Sequence, residues 1–256
     1  MTIGGYHPAR RGFTLVELLV VIVIIVTLAA LGFQGYRAAR MRANQTVSTA
    51  NLRQLAAANL LYVADHSTYA PAGDAPNLIR WHGGRTRVGS KFDPAKGYLS
   101  EYLGESRTVG LCPEFKEHLS GKSSWEDGSG GYGYNDTYIG GLPQDAFAPN
   151  RPANVSNPAR TLMFATTALS KADGLQEYAS AAPPKEVDSN WRIRGSMQPS
   201  VHFRFNGRAL IAWCDGHVTE ERSNGKAEKN VYGGDNGKSI GFCGPAENNG
   251  WWNPRN

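Results

Sequence analysis

The 256-residue chain is poor in cysteine and lacks the short motifs that mark the commoner catalytic centres. Its three cysteines, Cys112, Cys214 and Cys243, show no CxxC spacing, which argues against a structural zinc site. GxSxG, HExxH and a phosphate-binding glycine loop are all missing, and no nucleophile stands beside an evident base. His82, His118, His202 and His217 are scattered without ligand spacing. The chain therefore offers no catalytic residue, no metal site and no cofactor, and it reads as a non-enzyme. A basic stripe with interleaved aromatics is missing too. The net charge of +5 is too mild to argue for a nucleic-acid partner.

The informative residues lie near the N-terminus. Arg10-Arg11-Gly12 is followed by Phe13-Thr14-Leu15-Val16-Glu17-Leu18-Leu19 and an apolar run that continues to Phe33. Phe13 to Phe33 is enough for one transmembrane helix. A plain membrane anchor explains the length and the composition. It does not explain Glu17, since an ionised group in such a segment costs roughly 2.5–3.5 kcal/mol on insertion scales and usually has a partner. A secretory signal peptide fits less well, because its apolar region is shorter and ends in a small-residue cleavage site.

This stretch closely resembles the type IV prepilin signal, the mark of pilins and of type II secretion pseudopilins. The resemblance implies that an inner-membrane prepilin peptidase cuts after Gly12 and methylates the new amino terminus at Phe13. Glu17 then becomes the fifth residue of the mature chain. Its implied role is to meet the amino group of Phe13 on a neighbouring subunit during filament assembly. Removing one partner of a buried pair of that kind costs roughly 3–5 kcal/mol. The implied partners are the peptidase, copies of the chain or related pilins, and an inner-membrane assembly platform. Arg10 and Arg11 precede the span while Arg37, Arg40 and Arg42 follow it, so charge does not choose an orientation. The resemblance chooses a single pass with the leader in the cytoplasm, followed by a periplasmic or cell-surface filament. Loss of Arg10 and Arg11 with the leader lowers the net charge by two, to +3. Calcium occurs in major pseudopilins of this kind, yet no acidic loop here fits it convincingly.

Beyond the apolar run, Leu52, Leu55, Ala56, Asn59, Leu60 and Val63 follow the spacing of one buried helical face. One long helix is predicted from Phe13 to about Asp65, with its second half packed on a globular domain. Gly32 and Gly35 fall inside it, either as tolerated glycines or as a point where the helix melts and stretches during extraction. Asp65 and His66 are expected to cap the helix end. Tyr62, Asp65, Tyr69 and Pro71 are similar to the helix exit of large prepilin-like families. Leu111-Cys112-Pro113 and Gly131-Tyr132-Gly133-Tyr134-Asn135 resemble segments of the same families. Those tyrosines either pack over a sheet edge or stack on sugar rings.

Glycine and proline gather after residue 70 and suggest a loop-rich domain. Thr161 to Ala165 reads as a buried strand. Arg208 to Glu221 reads as a hairpin, with Asp215 and Gly216 as turn residues of a two-residue type I′ loop. That loop would set Trp213 opposite Val218 and Cys214 opposite His217. The hairpin resembles the H-x9-DG motif of prepilin-type proteins, except that Phe205 stands at the histidine position and His202 lies three residues too early. In the oxidising compartment implied by the resemblance one disulfide is expected, with Cys214–Cys243 favoured by sequence proximity alone.

The expected fold is α+β and pilin-like, with a long N-terminal helix packed on an antiparallel sheet and a loop-rich C-terminal part. The expected segments are a leader at 1–12, a helix at 13–66 with its transmembrane and assembly part at 13–33, and a β-rich domain at 67–256. The expected function is that of a pilus or pseudopilus subunit. The alternatives are a minor or tip pilin whose domain binds a ligand or surface, and a monomeric membrane-anchored binding protein.

Overall fold

A computed structural model describes residues 14–119, 127–143, 147–226, 237 and 239–256. It divides into two compact units, Met1–Ala43 and Asn44–Asn256. Helix α1, Leu15–His66, contributes to both. Unbranched and alanine-rich sequence carries its second half, where Leu52, Leu55, Ala56, Ala58 and Asn59 are buried. It stops at Ser67, whose left-handed φ of 61° turns the chain while its amide still donates to the Val63 carbonyl at 2.8 Å. Asp65 and His66 close this end as local groups. Asp65 accepts from the Tyr102 hydroxyl at 2.9 Å, and the His66 ring stacks on Tyr62 at 4.0 Å.

In the first unit the apolar side chains from Leu15 to Phe33 all face outwards, and even the least exposed, Val21, keeps 45 % of its surface. Gly32 and Gly35 are helical, and a Cβ at either position would meet nothing within 4 Å among the described residues.

The second unit is built on a six-stranded antiparallel sheet. Its strands are β1 (Tyr132–Tyr134), β2 (Leu162–Thr166), β3 (Val201–His202), β4 (Arg208–Trp213), β5 (Val218–Lys226) and β6 (Ile240–Cys243), in the order β1-β2-β4-β5-β6-β3. Strand β4 is buried on both faces, which its unbroken Ala-Leu-Ile-Ala-Trp run reflects. Leu210 and Ala212 join the core that includes Leu52, Leu55 and Ala56 of α1. Ala209, Ile211 and Trp213 join a second core with Trp252 and Cys243. Strand β2 carries an irregularity opposite Ala212 and Trp213, so Met163 and Phe164 both enter the α1-side core while Leu162 and Ala165 enter the other. The architecture is α+β and pilin-like: a long apolar N-terminal helix, an antiparallel sheet and extensive loops.

Two expectations are corrected by this arrangement. The predicted Cys214–Cys243 disulfide is not formed. All three cysteines are free and buried, and Cys214 and Cys243 belong to the two different cores. Proximity in sequence does not survive a sheet that separates the side chains. The hairpin is present, but its loop has three residues, Cys214, Asp215 and Gly216. Trp213 accepts from Gly216 N and donates to His217 O, and Ala212 faces Val218. Only Gly216 has positive φ, at 93°, as in a three-residue loop closed by a bulge glycine. The register therefore differs by one residue from a type I′ hairpin, which decides the face each side chain meets.

Candidate functional site

The N-terminal motif places three polar side chains, Thr14, Glu17 and Thr27, in an otherwise apolar stretch, and they are satisfied in different ways. Thr27 donates its hydroxyl back to the Val23 and Ile24 carbonyls at 3.0 and 2.9 Å and so satisfies itself. Glu17 sits in the first turn of α1. Its Oε2 accepts from the Thr14 amide and from the Thr14 hydroxyl, each at 2.8 Å, while Glu17 N donates to Thr14 Oγ1 at 3.2 Å. Thr14-x-x-Glu17 is thus a reciprocal capping box, a signal readable in the sequence as a threonine three residues before a glutamate. Sequence reasoning singled out Glu17 and missed Thr14. Among the described residues Oε1 of Glu17 accepts no hydrogen bond. Gly12 and Phe13, the predicted processing residues, lie outside the described residues.

In the second unit the tyrosines of the Gly-Tyr-Gly-Tyr-Asn segment form the edge strand β1 and are fully buried, so they offer no ring face to a sugar. Their hydroxyls pin α1 to the sheet. Asn51 donates to Tyr132 at 3.0 Å, and Asn59 donates to Tyr134 at 2.9 Å. Tyr134 donates onward to the Ala70 carbonyl, and the Ala70 amide donates back to Asn59 Oδ1. Asn135 extends the staple, donating to the Leu162 and Trp252 carbonyls at 2.9 and 3.0 Å. The segment holds the helix, sheet and C-terminal residues together.

Asp215 and Gly216 act as turn residues. Asp215 Oδ1 accepts from the His217 amide at 3.1 Å and contacts His217 Nδ1 at 2.5 Å. Partial burial works against its ionisation, but the hydrogen bonds from His217 outweigh it and hold the carboxyl below its usual range. Phe205 is buried in the α1-side core.

The remaining histidines do not assemble. His82 is buried with neither ring nitrogen hydrogen-bonded among the described residues, and burial, reinforced by Arg80 and Arg85, pushes its pKa down to about 3. The His118 and His202 rings lie edge to face, with centroids 5.3 Å apart. Among the described residues no group of three histidine, cysteine or carboxylate side chains is placed to hold a metal ion. Burial pushes the Cys214 thiol up to about 12 and raises Cys243 as well, so neither is poised as a nucleophile.

Two cavities open near the C-terminal residues. One, of about 470 Å³, is bordered by Asn157, Arg160 and Trp251. The other, of about 620 Å³, is bordered by Tyr138, Phe147, Trp191 and Arg255.

A long apolar helix with a capped glutamate in its first turn, ahead of an antiparallel domain, is an architecture similar to that of the type IV pilin-like family. The chain carries the prokaryotic N-terminal methylation motif, matched over residues 7–33, and fits that family. No curated protein and no solved structure matches the chain. The motif points to a structural protein rather than a catalyst, to prepilin peptidase processing and to assembly with other pilins.

Proposed function

We propose that this chain is a structural subunit of a type IV pilus-like or pseudopilus filament, processed after Gly12 and assembled through α1. The observation that carries this reading is Glu17: a carboxylate in the exposed apolar first part of α1, with one oxygen accepting from Thr14 and the other accepting no hydrogen bond among the described residues. An ionised group that enters a bilayer or a filament core needs a cation, and the methylated amino terminus of a neighbouring Phe13 supplies one. The exposed apolar stripe supplies the rest of the association, since helix packing covers it. In this reading the leader stays on the cytoplasmic side, and the second unit ends outside the inner membrane.

The test begins with the protein recovered from its own cells. Its mass and first residue should correspond to a chain starting at N-methylated Phe13. Retention of residues 1–12 would sink the proposal. Glu17→Gln keeps the shape and removes the charge. Sheared filaments should then fall to background while the processed subunit accumulates in the membrane. Filament yield equal to wild type would show that Glu17 does not direct assembly.

A further inference from the structure

The cavity beside Trp191 has the composition of a carbohydrate site. Trp191 lies at the tip of the hairpin formed by Lys185–Val187 and Ile193–Ser196. It occupies the left-handed region, with φ of 62°, which a bulky side chain rarely adopts. Asp188 holds it there: Oδ1 accepts from the amides of Asn190 and Arg192, and the Trp191 amide donates to the Asp188 carbonyl at 2.8 Å. Arg194 donates to the other carboxylate oxygen. The loop thus presents an indole that still has 36 % of its surface exposed.

The Tyr138 and Phe147 rings pack on the indole, with centroids 5.2 and 4.8 Å away, and the Arg255 guanidinium lies over part of it, 5.1 Å from its centroid. The cavity is also bordered by Asn154, Ser156 and Ser189. Asn154 spends its amide donor on Asn150 at 3.0 Å, which leaves its Oδ1 as an acceptor. The hydroxyls of Ser156 and Ser189 make no hydrogen bond among the described residues. Among the described residues the border of the cavity includes no carboxylate and one cation, Arg255. The volume of about 620 Å³ is within the range of small-ligand sites.

We propose that this cavity binds a sugar ring of a neutral or acidic glycan. The axial C–H face would lie against the exposed part of Trp191, and the hydroxyls would meet Asn154, Ser156 and Ser189. A sugar ring is the chemistry that needs both an aromatic platform and closely spaced small donors and acceptors. Arg255 favours a uronate over a neutral ring without being needed for either. The role is additional to filament assembly, because none of these residues lies on α1.

The test uses the full-length chain in detergent micelles with three probes: cellotriose, chitotriose and trigalacturonate. Saturation-transfer NMR and calorimetry should find saturable binding of at least one. Trp191→Ala should weaken it at least about tenfold, while Trp191→Phe keeps most of it. Should Trp191→Ala not fold, Asn154→Ala with Ser189→Ala serves in its place and should also weaken binding. Lack of saturable binding by all three probes up to about 10 mM overturns the proposal, as does binding indifferent to every one of these changes. Filament yield is read on the same variants. Loss of sugar binding with normal filaments is expected, so failure of this proposal and failure of the assembly reading are distinguishable.

Discussion

Asn59 joins three parts of the second unit through one amide. Its donor reaches Tyr134, its acceptor takes the Ala70 amide, and all of these groups are buried. Asn59→Leu strands the Ala70 amide and removes the donor to the Tyr134 hydroxyl, which keeps its own bond to the Ala70 carbonyl, so the unit should lose about 1–3 kcal/mol in chemical denaturation. Tyr134→Phe removes one member but also strips Asn59 of an acceptor and should cost about 1–2 kcal/mol. Helical spacing in the sequence placed Asn59 on the buried face but could not name its partners, because those come from strand β1 and the exit loop. The cysteines teach the same lesson in reverse. A thiol titration should find no reactive group in the native protein and three after denaturation without reductant. Two thiols missing after denaturation would restore the disulfide.

At the level of elements, the β4–β5 hairpin was readable from Asp215-Gly216, but its loop type was not. Both loop types suit that dipeptide, and the choice follows from how Trp213 and Cys214 are buried on opposite faces. Gly216→Ala should destabilise the unit by about 1 kcal/mol, because φ of 93° is unfavourable with a Cβ although Leu60 leaves room for one. The loop carrying Trp191 should be sensitive to acid. The hydrogen bonds from the Arg192 amide, and then from Arg194 and Asn190, hold the Asp188 carboxyl below its usual 3.8. A depressed carboxyl contributes stability above its unfolded value and loses it as pH falls through the folded one. Sugar binding should therefore decline below about pH 4, and Asp188→Asn should decline less steeply with acid. In α1, Gly32→Ala with Gly35→Ala meets open space and should stiffen the helix by about 1 kcal/mol at each position. If extraction from the membrane uses a stretched segment there, filament yield falls while subunit level holds.

On the scale of the whole molecule, the long helix and its buried face were legible because apolar spacing and strong helix formers act locally and outweigh Gly32 and Gly35. The central strands were legible for the same reason: Leu162 to Thr166 and Arg208 to Trp213 are buried apolar runs. The aromatic cavity was not, because Tyr138, Phe147, Trp191 and Arg255 come from four separate stretches of chain. Trp191 carries no sequence signal beyond an Asp-x-Asn turn ahead of it. The asparagine–tyrosine contacts between α1 and strand β1 carry a mechanical consequence. Asn51 and Asn59 lie along one helix and grip two tyrosines of one strand, so a pull along the helix axis loads both contacts together. Bonds strained in parallel yield at higher force than bonds opened one after another. In the proposed filament, a pull on α1 would therefore be resisted by both contacts at once.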